Sequence, residues 1–232
     1  GVGEKGAKLD ILSSWNVDGL IVLGVYKETL FEQLKGRSLP TLLIDSYVDD
    51  EHFYHLGIDD EQAAFEATSH LIAQGHANIA VVTGVIRANG VVERRVAGYR
   101  RALEAAGITY DPALVFSRSV SFDWGNEAAA GIAANPAITA AFCTADLIAA
   151  GLLAGLHKLG KRIPEDVSVM GFDNLSVSRM VYPALTTVDQ SIAEKGRLAG
   201  ELIASILDKR DTARKTVVPT TVIERDSVMR RR

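Results

Sequence analysis

Short unbroken apolar runs alternate along this chain with longer stretches whose apolar residues return every three or four positions. Leu20 to Leu23, Thr41 to Ile44, Ile79 to Val82, Ile138 to Cys143 and Val167 to Phe172 read as strands. They lack the polar alternation of a half-exposed sheet, so the pattern predicts parallel strands buried on both faces. Between them, helical spacing links Leu30, Phe31 and Leu34, then Ala63, Ala64, Ala67 and Leu71, then Gly98, Tyr99, Ala102 and Leu103. Leu147 to Leu159 and Ile192 to Leu207 carry the same spacing, Leu9 to Trp15 a shorter version, and Glu127 to Ala134 a helix of small residues. Brief strands are expected near Tyr54 to Ile58, Leu114 to Phe116 and Leu185 to Val188. Thr216 to Glu224 contains Pro219 and reads as an edge strand or an extended crossing segment. Strand and helix periods interchange at least five times over short connections, which predicts an α/β fold of the doubly wound type.

The organising stretch is Ile138 to Phe172, a strand, a helix and a second strand, with a crossover long enough to make the strands parallel. Asp146 falls where the first strand passes into the helix, and Asp173 directly follows the second. Open parallel sheets bind ligands at their C-terminal edge, so both acids are candidates for a polar rim; capping the helix is the competing role for Asp146. Trp124, ahead of the small-residue helix, either packs on the sheet edge or offers a flat platform to a sugar or heterocycle. No glycine-rich phosphate loop follows any strand, and no nucleotide cofactor is expected.

Composition narrows the function classes. The 232 residues are 47% hydrophobic and 23% charged, with 25 basic and 29 acidic side chains and a net charge of −4, so no electrostatic footprint for nucleic acid is present. The single cysteine, Cys143, lies inside a strand run, which excludes an intrachain disulfide and a cysteine metal set. No apolar run approaches the roughly 18 residues of a membrane span, and no secretion signal opens the chain, so a cytoplasmic location is expected. No metal or other cofactor is implied.

Several runs carry a family resemblance: Cys143 to Gly151, the segment Ile163-Pro164-Glu165-Asp166-Val167-Ser168-Val169-Met170-Gly171-Phe172-Asp173-Asn174, and Pro183 to Gln190. Val17 to Ile21 and His70 to His76 also fit. From about Leu9 to Asp226 the chain resembles the effector-binding core of the lactose/galactose-repressor family of bacterial transcriptional regulators. That resemblance implies two Rossmann-like subdomains of the periplasmic-binding-protein-like type I fold, with a small effector held in a cleft between them. The implied division is 1–74 plus 190–217 for one subdomain and 75–189 plus 218–228 for the other, with crossings near 74–77, 188–191 and 218–221. Against the family pattern, the helix-turn-helix, the hinge and the first strand-helix-strand unit are absent, and Ala145 stands where an asparagine is usual.

The resemblance assigns ligand contacts to Arg95, Trp124 and Asp146, with Asp173 as a second rim contact. Tyr26, Asp45 and Gln62 are weaker candidates. The implied partners are a small-molecule effector, sugar favoured over purine, a second copy of the chain, and operator DNA reached only through a separate N-terminal domain; no membrane is implied. Two other classes compete. A solute-binding protein of a sugar transport system would share the fold. An enzyme would pair Asp146 with one of His52, His55, His70, His76 or His157, but no motif joins any of them to a nucleophile, so no enzymatic activity is expected.

Overall fold

The computed structural model describes residues 17–24, 28–36 and 39–231. The predicted helix at Leu9 to Trp15 lies outside them. Contacts divide the chain into two units: the described residues up to Gly57 with Ala193–Val217, and Ile58–Ile192 with the residues from Val218 onward.

In the first unit, strands β1 (Leu20–Leu23), β2 (Thr41–Ile44), β3 (Tyr54–Gly57) and β9 (Lys215–Val217) form a parallel sheet in that order. Helix α1 (Glu28–Lys35) buries Phe31 and Leu34 with Leu43 and Phe53. Helix α7 (Ile192–Leu207), which the chain enters across the unit boundary, brings Ile203 and Leu207 within 3.3 Å of where a side chain on Gly19 would start. Burial on both faces holds for β2 but not for β1: Ile21 is 40% and Leu23 66% exposed. The reason is position, since β1 is an edge strand among the described residues.

The second unit holds a six-stranded sheet in the order β10-β8-β7-β6-β4-β5. Its strands are β4 (Ile79–Thr83), β5 (Val115–Ser117), β6 (Ala140–Cys143), β7 (Ser168–Asp173), β8 (Thr186–Asp189) and β10 (Thr221–Ile223). All pair in parallel except β10, which runs antiparallel to β8. The weak apolar alternation of Thr216 to Glu224 resolves into β9 and β10, one in each sheet, with Pro219 between them where no ladder needs an N–H.

Helices α2 (Asp60–Ala73) and α3 (Val91–Ala105) pack as one pair, α4 (Phe122–Ala134) and α5 (Asp146–Lys158) as another. The α4–α5 pair buries Ala80, Val82, Ala141, Cys143 and Val169 with Ile132, Ile148 and Leu152. Strand residues alternate between faces, so Ile79, Phe142 and Phe172 point the other way, where Tyr99 on α3 donates its hydroxyl to the Ile79 carbonyl at 2.7 Å. Covering both faces is what the unbroken apolar runs require. A short helix α6 (Val177–Met180) follows β7.

Two boundaries differ from expectation. Helix α4 begins at Phe122, ahead of Glu127, because Ser121 accepts the Trp124 amide and caps it, which puts Trp124 in its first turn. Helix α2 clusters with the second unit, so the first change of unit falls at Gly57/Ile58 where the sequence reading put it near Gln74. The cause is the closeness of α2 to α3. A Cβ on Gly98 would stand 2.1 Å from the Glu61 carbonyl oxygen and 2.8 Å from the Phe65 nitrogen, so only glycine permits this crossing. Gly98→Ala is expected to cost about 1–3 kcal/mol in urea unfolding, because both obstacles are backbone atoms that cannot rotate away; a neutral result would mean that the two helices stand further apart.

Candidate functional site

The C-terminal ends of β4, β6 and β7, adjacent strands of the second sheet, carry Thr83, Thr144 and Asp173, and Gln190 follows β8. Parallel strands bring their ends to one edge, so these side chains form a polar row without any long-range design beyond the sheet itself. Thr83 and Thr144 share a hydroxyl hydrogen bond of 2.8 Å. The Trp124 indole N–H donates to the Thr83 carbonyl at 3.0 Å, and Arg95 Nη1 donates to the Thr144 carbonyl at 2.7 Å.

Arg95 occupies the middle of the row. It is only 6% exposed, and its guanidinium lies 3.7 Å from the centre of the Phe172 ring, a cation–π contact. Its Nε donates to Asp60 Oδ1 at 2.7 Å, and Nη1 approaches Asp173 Oδ1 at 3.4 Å. Asp173 also accepts Gln190 Nε2 at 2.6 Å. Asp60 is 1% exposed, the first residue of α2, where a negative charge also complements the helix dipole. Removing one partner from a buried pair of this kind costs about 3–5 kcal/mol.

The predicted site residues are therefore distributed unevenly. Arg95, Trp124 and Asp173 belong to one connected network. Asp146 does not face it. Its side chain is 0% exposed; Oδ1 accepts the Thr187 hydroxyl at 2.5 Å and Oδ2 the Leu175 amide at 2.7 Å. The residue at the N-cap position is Ala145, so Asp146 is the first residue of the helix. Asp146 is thus the first-turn acid of α5, and its carboxylate ties that helix to β8 and to the loop after β7.

Gln62 lies with Arg101 of α3 and Glu66 of its own helix, which takes it out of the network. Asp45, in the first unit, receives Lys195 Nζ at 2.9 Å on both carboxylate oxygens. Tyr26 lies outside the described residues.

Four members of the network went unassigned in the sequence: Asp60, Thr83, Thr144 and Gln190. Asp59-Asp60 reads as a helix start, and Asp59 is indeed the cap, accepting the Gln62 amide. That doublet hides an acid with a different task one position on.

No group of metal-ligating side chains is present among the described residues, and none of their helices is long and apolar enough to cross a membrane. Cys143 is fully buried, which pushes its thiol well above the ordinary range. His76 is buried between the Thr139 hydroxyl and the Met229 carbonyl, before the start of β6 and so at the sheet edge opposite Asp146.

Parallel sheets with a polar cluster at their C-terminal edge place the chain in the periplasmic-binding-protein-like class, and residues 68–228 match the family model described as a periplasmic binding protein-like domain. Among curated relatives, the HTH-type transcriptional regulator DegA of Bacillus subtilis (strain 168) is 32% identical over 94% of this chain and 66% of its own length. Among solved structures, the transcription regulator CcpA of Lactococcus lactis superposes with a TM-score of 0.88 at 29% identity, covering 95% of this chain and 81% of that one. A LacI family transcriptional regulator from Enterococcus faecium, solved with bound ribose, gives 0.84 at 28% identity, covering 97% and 85%. The chain belongs to the lactose/galactose-repressor (LacI) family. It spans about two thirds of the length of the curated relatives it matches.

Burial pushes the Asp146 carboxyl up to about 7, with the Asp173 charge adding to the effect and the Thr187 and Leu175 hydrogen bonds opposing it. An unfolded aspartate titrates near 3.9, so between about pH 4 and 7 the native state holds more protons than the unfolded one, and stability falls as pH rises. Asp146→Asn removes this dependence. Urea unfolding of both proteins should show wild type gaining on the variant as the medium is acidified through that window; a constant gap would contradict the buried, proton-holding carboxyl.

Proposed function

We propose that this chain is the effector-sensing core of a transcriptional regulator, which binds a small polyhydroxylated molecule, a sugar before a purine, at the strand-end network of the second unit. The observation that carries this reading is the convergence of Arg95, Asp173, Gln190 and Trp124 on one sheet edge. Adjacent donors and acceptors suit the vicinal hydroxyls of a sugar ring, each of which both donates and accepts, and a part-exposed indole beside them suits its C–H faces. The ribose found in the Enterococcus faecium regulator supports a sugar in the same class of site.

The coupling to operator DNA runs through a separate helix-turn-helix domain, in keeping with the DegA relative and with an acidic chain that has no nucleic-acid footprint of its own. Effector binding changes DNA affinity only to the extent that it favours one arrangement of the regulator over another. The regulator acts in the cytoplasm as a homodimer. The related proteins reported above are regulators, which favours this reading over a transport protein and over an enzyme.

Screening the folded chain by thermal shift against neutral pentoses, hexoses and purines, followed by calorimetry, tests the site. Trp124→Ala should weaken the best hit by about 10- to 100-fold without unfolding the chain, since truncating an aromatic anchor removes much of the contact area. Arg95→Met should abolish binding. Retained affinity in both variants would remove the site from the proposal.

A further inference from the structure

Arginine in a sugar site raises the question of charge. Many sugars in a cell carry phosphate or carboxylate, and a guanidinium fork is the side chain best shaped to seize either one. In this chain the fork is already spent. Nε is held by Asp60, and Nη1 serves the Thr144 carbonyl and approaches Asp173. The side-on fork has lost its Nε arm and the end-on fork its Nη1 arm, so neither offers an anion two parallel hydrogen bonds. Two carboxylates also stand within 3.4 Å of this one guanidinium, and one of them, Asp60, is almost completely buried. An incoming anion would meet the charge of the more exposed Asp173 first, with that of buried Asp60 behind it.

Resting on the sugar-site reading above, we propose that Asp60 is a specificity-determining residue: by occupying Arg95 it makes the site select uncharged, or amino-bearing, polyhydroxylated effectors and reject phosphorylated and carboxylated ones. Asp60 does this as a positioning residue. It holds the guanidinium over the Phe172 ring and keeps its Nε from an incoming anion, while Asp173 and Gln190 present an acceptor and a donor to hydroxyl groups. The close crossing of α2 and α3 at Gly98, three residues beyond Arg95 in α3, keeps Asp60 in reach.

Asp60→Asn tests the assignment, because asparagine keeps an acceptor for Nε and removes the charge. Inorganic phosphate and gluconate are the anionic probes, glucose and glucosamine the neutral and cationic counterparts, all titrated by calorimetry at matched ionic strength. Wild type should show no saturable phosphate or gluconate binding, and Asp60→Asn should gain phosphate affinity by at least about tenfold, the gain vanishing when Arg95→Met is added. Since loss of a buried charge threatens folding, Asp173→Asn, at the more exposed carboxylate, provides a second variant expected to gain phosphate binding to a smaller degree. Saturable phosphate or gluconate binding by wild type that disappears in Arg95→Met would overturn the proposal, as would folded variants that gain none. Phosphate binding gained by Asp60→Asn while every neutral sugar fails on wild type would instead count against the sugar reading and leave the role of Asp60 standing.

Discussion

The buried contact between Arg95 and Asp60 is the interaction on which the second unit's polar edge depends. A guanidinium under the surface is tolerated only if its charge and its donors are matched, and Asp60, the Thr144 carbonyl and the Phe172 ring do this from three different elements. The pair therefore sets several distances at once. It fixes the start of α2 against α3, and α3 against the ends of β6 and β7. A neutral pair of similar volume could hold the helices together equally well or better. What it could not do is place a rigid set of hydrogen-bond donors at the edge of the sheet.

The remaining geometry follows from strand order. Because β7, β6 and β4 are neighbours and parallel, the residues that end them stand beside one another at the inter-strand spacing, about 4.8 Å. Thr83 and Thr144 are short enough to bond across that gap, and so the row reads Trp124, Thr83, Thr144, Arg95, Asp173, Gln190 with a hydrogen bond at each step. Asp173 adopts a φ of +113° and Asn174 a φ of +53°, conformations that cost a non-glycine residue about 1–3 kcal/mol. Such strain persists where neighbours hold it, here through Gln190 on Asp173 and Arg225 on Asn174 at 2.7 Å.

How far the sequence revealed this depends on whether a signal was local. The parallel sheet, its helices and the strand-end position of Asp173 follow from periodicity, since burial on both faces dictates apolar runs. Trp124 is open to two readings from its position and Arg95 is pointed to through the resemblance, while their partners emerge only in three dimensions: Arg95 and Asp60 are separated by 35 positions, and nothing in either neighbourhood names the other. Local sequence also leaves partners hidden. The first turn of a helix after a strand suggested that Asp146 caps or meets a ligand, yet its partners, Leu175 and Thr187, come from segments 29 and 41 residues away. The partners of Gln62 are equally hidden: helical phase brings it beside Arg101 and Glu66.

Asp146 and Asp173 show why proximity to a strand end is insufficient to define a site. Asp146 starts the helix after β6 and its carboxyl lies against β7, so close that a Cβ on Gly171 would sit 2.3 Å from Oδ1. Asp173 ends β7 itself, and its altered backbone turns the side chain along the row towards Arg95 and Gln190. One acid is enclosed, pushed up towards neutrality by its burial and satisfied by a hydroxyl and an amide; the other keeps a guanidinium and an amide donor beside a partly open surface. Exchanging their surroundings would break both sets of contacts, since the bonds of Asp146 to the Thr187 hydroxyl and the Leu175 amide hold the loop after β7 to α5. Glycine at position 171 is what leaves room for the enclosed one.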